Sequence, residues 1–276
     1  MLQKCLLISS FCVVGLANAD SVLLQAAADS TVYFSPGFET SNSKGEHLFC
    51  GNTGGGQTRR GLMRFDFAGA LPPDAQISSV ELSLPITRLG PSAAFVSIYR
   101  CLTSWAEGTS DAPDTESGGA PATPGDPSWN FASFDTRPWN LPGGDFNNVP
   151  RASAPVAGAS SVTLSGPGLN GDVAAWIANP AQNFGWLIQG DESGLGTSIR
   201  FGTRENAVVT DRPSVFITYT RTCAADFNWD GTVDFFDYLD FVQAFSENTA
   251  TADFNADQVI DFFDYLDFVS AFALGC

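Results

Sequence analysis

A 12-residue acidic loop occurs twice near the end of this 276-residue chain, and it constrains the fold more than any other feature. Residues 226–237 read Asp-Phe-Asn-Trp-Asp-Gly-Thr-Val-Asp-Phe-Phe-Asp, and residues 253–264 read Asp-Phe-Asn-Ala-Asp-Gln-Val-Ile-Asp-Phe-Phe-Asp. Each loop precedes the run Tyr-Leu-Asp-Phe-Val-x-Ala-Phe, and the copies start 27 residues apart (253 minus 226). Because repetition at a fixed spacing indicates one structural unit used twice, we expect a duplicated loop–helix module over residues 223–276.

Each copy carries oxygen-bearing groups in the positions that a calcium loop requires. Calcium takes six to eight oxygen ligands, and a 12-residue loop supplies them from positions 1, 3, 5, 7, 9 and 12, position 7 through its backbone carbonyl. The sequence therefore predicts two Ca²⁺ sites, with ligands Asp226, Asn228, Asp230, Thr232, Asp234 and Asp237 in the first and Asp253, Asn255, Asp257, Val259, Asp261 and Asp264 in the second. Position 6, a sharp turn, is Gly231 in the first copy and Gln258 in the second, so we expect a weaker second site.

The run after each loop has the period of an amphipathic helix. Apolar residues spaced i, i+3, i+4 and i+7 are expected to form a small core: Tyr238, Phe241, Val242 and Phe245, with Tyr265, Phe268, Val269 and Phe272. This pattern leaves three further apolar residues in each copy outside the predicted core face: Phe235, Phe236 and Leu239, with Phe262, Phe263 and Leu266.

Negative charge is concentrated in the same module. From residue 223 onward there are eleven Asp and Glu and no Lys or Arg, whereas residues 20–222 carry nineteen acids and twelve bases. This balance argues against nucleic acid and anionic membranes as partners. Because like charges repel, a compact module would need cations to neutralise it.

The start of the chain has the pattern of an export signal. Residues 1–19 combine Lys4, an apolar stretch from Cys5 to Leu16, and small residues at Ala17 and Ala19, which together predict a signal peptide. No later segment approaches eighteen uninterrupted apolar residues, so a transmembrane protein is not expected. We expect a secreted protein that is extracellular or associated with the cell surface.

Four cysteines remain beyond the predicted signal peptide: Cys50, Cys101, Cys223 and Cys276. In an exported chain four cysteines suggest two disulfides, and the sequence alone allows three connectivities. We expect Cys50 to pair with Cys101 and Cys223 to pair with Cys276, because each pair then lies within one predicted domain.

Residues 20–222 have the period-two pattern of an all-β domain. Val80, Leu82, Leu84 and Ile86 alternate with more polar residues, as do Val215, Ile217 and Tyr219 near the end of the segment. Further strands are predicted at 21–27, 30–34, 46–50, 61–68, 94–102, 160–164, 184–190 and 197–203, and one short helix at 172–178. About ten short strands in some two hundred residues predict a jelly-roll-like β-sandwich, followed by the small α-helical module.

The segment 107–158 is rich in Gly, Pro, Ala, Ser and Asp, and is longer than an ordinary connection. It contains tryptophan and phenylalanine residues that disordered segments usually lack, so we expect its second half to be ordered and packed on the sandwich. Trp129, Arg137 and Trp139 form a candidate carbohydrate-binding site, since flat aromatic rings beside a hydrogen-bond donor suit the apolar face of a sugar. The alternative is that these tryptophans cover a core.

Three segments of residues 20–222 resemble the DNRLRE domain family, some of whose members are described as carbohydrate-binding modules. They are Arg59-Arg-Gly-Leu-Met-Arg-Phe-Asp-Phe67 with Leu71-Pro72, then Val96–Thr109, and finally Gly185–Glu192 with Ile199–Asn206 and Arg212-Pro213. The resemblance implies an exported β-sandwich and does not imply one ligand. The acidic, Pro-rich residues 110–125 depart from the family pattern in the loop where a sugar site would be inherited.

Residues 223–276 resemble a type I dockerin of the variety that ends in Gly-Cys, here Gly275-Cys276. Dockerins use duplicated calcium loops with Asp at position 12, which Asp237 and Asp264 match. In that family loop positions 10 and 11 help to contact the partner, which implies a docking face made of Phe235, Phe236, Leu239, Phe262, Phe263 and Leu266. The alternative is that one Phe of each pair fills the core. The implied partner is a cohesin-like or other envelope or extracellular protein.

Three functions are consistent with the sequence. The first, which we favour, is a non-catalytic recognition or scaffold domain, able to bind polysaccharide, that a calcium-dependent module anchors to a surface or complex. The second is a polysaccharide-active enzyme on the same anchor, and the third is a structural matrix protein without a ligand. Catalysis has little support, because His47 is the only histidine and the chain lacks a Gly-x-Ser-x-Gly elbow.

Overall fold

The structure is a computed structural model that describes residues 19–275. The predicted signal peptide, apart from Ala19, lies outside the described residues, and so does Cys276. The chain divides into two compact units: Asp20–Tyr219, here called the β-unit, and residues 220–275, here called the C-terminal unit. The sequence placed the boundary between residues 222 and 223. No helix within residues 19–275 has the length and apolar character needed to cross a membrane.

The described residues form fifteen strands and three α-helices, so the prediction of a mainly β chain with a helical end is confirmed. The strands are β1 Ala19–Gln25, β2 Ala28–Tyr33, β3 Thr40–Asn42, β4 His47–Asn52, β5 Thr58–Arg64, β6 Gln76–Leu89, β7 Phe95–Arg100, β8 Ala120–Pro121, β9 Phe131–Ser133, β10 Arg137–Pro138, β11 Ala152–Pro155, β12 Ser161–Ser165, β13 Trp186–Gly190, β14 Ile199–Gly202 and β15 Ser214–Thr220. The helices are α1 Pro167–Ala178, α2 Phe235–Ser246 and α3 Phe262–Leu274.

Thirteen of the strands belong to one large sheet. Its main path runs β1-β15-β6-β14-β4-β5-β13-β7-β11, with β12 paired to β6, and with β2, β3 and β8 joined through β5. The long strand β6 pairs with β12 through residues 81–85 and with β14 through residues 86–89, so it is shared by two parts of the sheet. The remaining strands, β9 and β10, form a separate two-stranded sheet.

Both faces of the sheet centre are buried. In β13 the side chains of Trp186 and Ile188 belong to the main hydrophobic cluster, whereas Leu187 between them belongs to a second cluster. In β5 Met63 and Leu62 divide in the same way. Successive side chains of a strand point to opposite faces, so an unbroken apolar run such as Trp-Leu-Ile fits a strand covered on both sides.

The long segment after β7 covers the second face. Trp105, Ala132 and Trp139 are buried in the second cluster, and Trp129 and Phe146 pack against them. The indole N–H of Trp139 donates to the Ser128 carbonyl at 2.8 Å, so the polar edge of this buried ring has a partner. The expectation that the second half of residues 107–158 is ordered and packed on the sheet is confirmed.

Helix α1 begins five residues before its predicted start at 172. Pro167 occupies the first helical positions, where a residue without an N–H is tolerated. The helix buries Asp172, whose carboxylate accepts from the Trp186 indole at 3.0 Å and pairs with Arg100 and Arg151. Burial raises the pKa of Asp172, and these donors oppose that effect.

The predicted Cys50–Cys101 disulfide is wrong, since both thiols are free and buried. Cys50 Sγ lies close to Gly190 at the end of β13, whereas the Cys101 N–H bonds the carbonyl of Gly185, just before its start. Five residues of strand span about 17 Å, and a disulfide needs Cα atoms within about 7 Å. The sequence placed both cysteines in one domain and carried no information about their separation. The Cys223–Cys276 pairing includes a residue outside the described range and stays a prediction.

The C-terminal unit is built around two stacked phenylalanines. Phe241 of α2 and Phe268 of α3 are fully buried, and their rings lie parallel with centroids 4.1 Å apart. Phe227 and Phe254, at position 2 of each loop, meet both rings edge-on. The predicted core positions of both helices pack in this cluster, so that prediction is confirmed. Because each contact in one copy has its counterpart in the other, the two halves have a two-fold-like arrangement.

Candidate functional site

The first acidic loop directs its side-chain oxygens inward. The backbone N–H of Asp230 donates to Asp226 Oδ1 at 3.1 Å and to Asn228 Oδ1 at 3.0 Å, so these two oxygens meet at one point inside the loop. Asp226 Oδ2 accepts from the N–H of Gly231, and Asp230 Oδ1 accepts from both the N–H and the hydroxyl of Thr232. The hydrogen bonds from Thr232 lower the pKa of Asp230.

The end of the same loop is held by Asp234 and Asp237, which begin helix α2 as a capping box. Asp237 is fully buried, and its oxygens accept the backbone N–H groups of Phe227 and Asn228 at 2.7 and 3.0 Å and that of Asp234 at 2.8 Å. This carboxylate therefore connects the start of the loop to the start of the helix.

The second loop repeats this arrangement residue by residue. Asp257 N–H donates to Asp253 and Asn255, both at 3.0 Å, and buried Asp264 accepts from Phe254, Asn255 and Asp261. Position 4 is left-handed in both copies, at Trp229 (φ 66°) and Ala256 (φ 59°). Position 6 is also left-handed, at Gly231 (φ 90°) and Gln258 (φ 71°). Only the second copy places a side chain at that turn, where a residue with a Cβ costs about 1–2 kcal/mol.

The oxygen atoms of the two loops are of the kind that binds a hard cation. All predicted ligands offer oxygen, and a carboxylate that accepts up to three N–H bonds, as Asp237 and Asp264 do, keeps a lone pair for a further partner. The C-terminal module has no Lys or Arg with which its eleven acids could pair. Within residues 19–275, however, no three His, Cys, Asp or Glu side chains are clustered as a ready metal cage. Calcium coordination would therefore require the carboxylates to exchange or share part of their backbone hydrogen bonds.

Apolar side chains are exposed at the start of both helices of the C-terminal unit. Phe235 and Phe236 are 64 % and 63 % exposed, and their counterparts Phe262 and Phe263 are 63 % and 64 % exposed. Leu239 and Leu266 are exposed in the same way. The alternative that one Phe of each pair fills the core is therefore wrong. Exposed aromatic residues that recur at equivalent positions mark a candidate contact surface.

The three residues of the predicted carbohydrate site are not brought together as a binding platform. Trp139 is buried beneath the covering segment, so neither face of its ring is available to a ligand. Arg137 is exposed and donates to the hydroxyl and carbonyl oxygens of Ser104. Trp129 lines a cleft. The predicted carbohydrate-binding role of Trp139 is corrected, because its indole fills the second hydrophobic cluster.

The cleft beside Trp129 includes residues that the sequence analysis did not select. It has a volume of about 390 Å³ and includes Phe34, Phe38, Glu39 and Asn130. Phe38 is 75 % exposed, and Phe34 meets Trp129 edge-on at 5.4 Å. The signal in the sequence is the pair of phenylalanines around the Ser-Pro-Gly turn after β2, since aromatic residues in a polar turn have no core to fill. This cleft combines exposed aromatic rings with polar groups, as sugar-binding sites do.

A buried ionic cluster lies elsewhere in the β-unit. Asp29 is fully buried; its Oδ2 accepts from the N–H of Arg204 at 2.8 Å, and its Oδ1 has no partner among the described residues. The Arg204 guanidinium forms two hydrogen bonds with Glu107, at 2.7 and 2.6 Å, and Lys44 contacts the same carboxylate. Burial raises the pKa of Asp29 to about 8, and the neighbouring Glu205 and Glu107 add to the effect. This shift favours the protonated form of Asp29 at neutral pH.

In comparisons with known proteins, no family model matches this chain, and no curated protein sequence matches it significantly. The resemblances to the DNRLRE and dockerin families rest on the residues quoted for them.

Proposed function

We propose that this chain is an exported, non-catalytic protein in which a jelly-roll-like β-sandwich recognises an extracellular ligand, polysaccharide in particular. The C-terminal unit attaches it, in a calcium-dependent manner, to a cohesin-like or other envelope protein. Calcium would bind the two acidic loops, holding each loop against its helix, while the aromatic pairs that follow the loops contact the partner. The Cys223–Cys276 disulfide would join the ends of this module.

The observation that carries the proposal is the exposure of the same aromatic pair in both copies. Four phenylalanines with more than six-tenths of their surface in water leave a large apolar area uncovered. Burial of such a side chain gains about 1.5–3 kcal/mol, so a partner that covers one pair gains several kilocalories per mole. The adjoining loops have the same hydrogen bonds from backbone N–H groups to carboxylate and amide oxygens in both copies, which supports a shared role for the two copies.

The test is capture of the envelope partner by the full chain in calcium. Wild type is compared with a fourfold variant in which Phe235, Phe236, Phe262 and Phe263 are each changed to Ser. Either pair can dock alone because the copies are equivalent, so the two-residue variants are expected to retain binding and the fourfold variant to lose it. Val208→Ser with Val209→Ser removes exposed apolar surface from the β-unit and serves as the matched control.

Binding of the fourfold variant at wild-type strength, with calcium affinity and folding intact, would place the docking face elsewhere. The recognition role of the β-unit is tested separately on a glycan array. Binding without chain cleavage is the expected result, whereas cleavage of a bound polysaccharide would indicate the enzyme alternative. Replacement of exposed Phe38 by Ala tests whether the cleft beside Trp129 takes part.

A further inference from the structure

A second cleft of the β-unit is lined by three arginines and no acidic residue. It has a volume of about 520 Å³ and contains Arg59, Arg88 and Arg200. Its other polar side chains are neutral: Thr53, Gln57, Thr115, Ser117 and Ser198. A concentration of positive charge is unexpected in a chain whose formal net charge is −17.

Strand register brings the three arginines close together in a group here called the arginine row, in which Arg59 is displaced by two residues from the line through Arg88 and Arg200. Arg200 of β14 lies directly opposite Arg88 of β6 on one side and Phe49 of β4 on the other. Arg59 of β5 follows beyond β4 and lines the same cleft. Residues directly opposite in an antiparallel pair have Cβ atoms about 4.5–5.5 Å apart, and like charges in that position destabilise the sheet. Folding alone does not account for the pair Arg88 and Arg200.

The charges of the row are not neutralised within the described residues. No ion pair formed by residues 19–275 includes any of these three arginines. Arg59 donates to the Ser117 carbonyl, and its guanidinium lies over the rings of Tyr33 and Phe49. Arg200 Nε donates to the Thr87 hydroxyl at 2.9 Å. The side chain of Arg88 is exposed and has no hydrogen-bond or ionic partner among the described residues.

The surroundings of Arg200 destabilise its positive charge. Burial lowers the pKa of Arg200, and the neighbouring charge of Arg88 lowers it further. The charge of Glu116 acts in the opposite direction and raises the pKa of Arg200. The Glu116 oxygens already accept from Asn42, from the backbone of Glu46 and His47, and contact the His47 ring. An anion in the cleft would relieve the repulsion between the two arginines.

We propose that this cleft binds a sulfate ester carried by a polysaccharide, with Arg88 and Arg200 gripping one sulfate group. A sulfate ester has three terminal oxygens and can accept from two guanidinium groups at once, whereas the two oxygens of a carboxylate are matched by a single guanidinium fork. Arg59 and the hydroxyl groups contact the adjoining sugars. Single-stranded nucleic acid is disfavoured, because the one aromatic residue of the cleft, Phe49, is buried and offers no ring for base stacking.

This inference names a ligand class for the β-unit and so rests on its proposed recognition role. The experiment measures binding of the full chain to dextran sulfate by calorimetry at about 0.1 M salt, which screens weak long-range attraction. Unsulfated dextran and polygalacturonate are the matched polymers. Dextran sulfate is expected to bind more tightly than either. The double variant Arg88→Gln with Arg200→Gln is expected to weaken that binding at least tenfold, because both charged groups that hold the sulfate are lost and hydrogen bonds to charged groups are the strong ones.

Arg212→Gln removes the same charge outside the cleft, where Arg212 donates to the Asn206 carbonyl, and is expected to bind dextran sulfate as wild type does. The single variant Arg88→Gln guards against misfolding, because Arg88 is exposed and unpartnered, and it is expected to weaken binding while the melting curve stays unchanged. Equal binding of dextran or polygalacturonate, no binding of dextran sulfate, or equal weakening by Arg212→Gln would each overturn the proposal. Capture of the envelope partner through the aromatic pairs does not involve this cleft, so a negative result here leaves the anchoring role standing.

Discussion

At the scale of single residues, Asp29 makes the stability of the β-unit depend on pH. Its pKa is raised from 3.8 to about 8 in the folded protein, so the folded state keeps a proton that the unfolded state loses in this range. The contribution of Asp29 is therefore most favourable below pH 3.8, and it declines as the pH rises toward 8. Within this window the slope from one group is at most roughly 1.4 kcal/mol per pH unit.

We predict that Asp29→Asn removes this slope, because a neutral amide of the same shape takes the place of the protonated carboxyl. The free energy of unfolding of the β-unit, measured with denaturant between pH 5 and 8, should fall as the pH rises in wild type and should vary less in the variant. Glu81→Gln changes an exposed acid and serves as the control. An unchanged slope in Asp29→Asn would mean that Asp29 is ionised in the folded protein.

A second residue-scale prediction concerns the two loop turns. Gln258 holds a left-handed backbone that glycine adopts freely, so Gln258→Gly should strengthen calcium binding at the second loop by about fivefold, as relief of 1 kcal/mol implies. Gly231→Gln should weaken the first loop by a similar factor. Titration calorimetry of both variants measures these calcium affinities. Equal losses of affinity on Asp230→Ala and Asp257→Ala, each made in the wild-type background, would contradict the prediction that the two sites bind calcium unequally.

The row of arginines could not have been found from the sequence. Arg59, Arg88 and Arg200 are more than 140 positions apart at the extremes (200 minus 59), and only the pairing of their strands brings them together. The acidic loops were identifiable because all their predicted ligands lie within twelve consecutive residues. Sites assembled from neighbouring positions can thus be read from a single sequence, whereas sites assembled across strands require the register.

At the scale of elements, alternation of apolar residues predicted the long strands well. Strands β6 and β15 contain the predicted period-two segments, and β1, β2, β4, β5, β7, β12, β13 and β14 each overlap a predicted range. The strands that were missed are β3, β8, β9, β10 and β11, which have two to four residues each. A strand that short does not complete enough periods to be distinguished from a loop, and its pairing depends on partners distant in the sequence.

The covering segment after β7 offers an element-scale prediction. Because the Trp139 ring fills the second core, Trp139→Ala should destabilise the β-unit by about 3–5 kcal/mol in denaturant unfolding. Phe38→Ala, which removes an exposed ring, should change stability by no more than about 0.5 kcal/mol. If both variants unfold at the wild-type midpoint, the covering segment contributes little to the stability of the sheet.

At the scale of the whole molecule, the two units should unfold independently in chelator. They have separate hydrophobic clusters, and the C-terminal module carries eleven acids without a base. Without calcium, repulsion between these acids should abolish the C-terminal transition, while the β-unit melts as before. Differential scanning calorimetry with and without chelator should show two transitions reduced to one. Retention of both transitions, with an unchanged helical signal, would show that the loops are stable without the metal.

The mainly β chain with a helical end could be predicted at this scale, because period-two and helical patterns occupy different parts of the sequence. Distances across the β-unit could not. Cys50 and Cys101 shared a predicted domain, yet they lie near opposite ends of one strand and in different hydrophobic clusters. Sequence separation bounds the reach of a chain and leaves the distance between two strands open.

The thiols of Cys50 and Cys101 can report on the opening of the β-unit. Burial raises the pKa of both cysteines, so neither is a reactive thiolate while its surroundings stay closed. Cys50 reports on the main cluster, and Cys101 reports on the face beneath the covering segment. Alkylation followed by mass spectrometry would therefore measure the opening rate of each face separately, without a substitution in the chain. The order of the two reactions would show whether the covering segment detaches before the sheet itself unfolds.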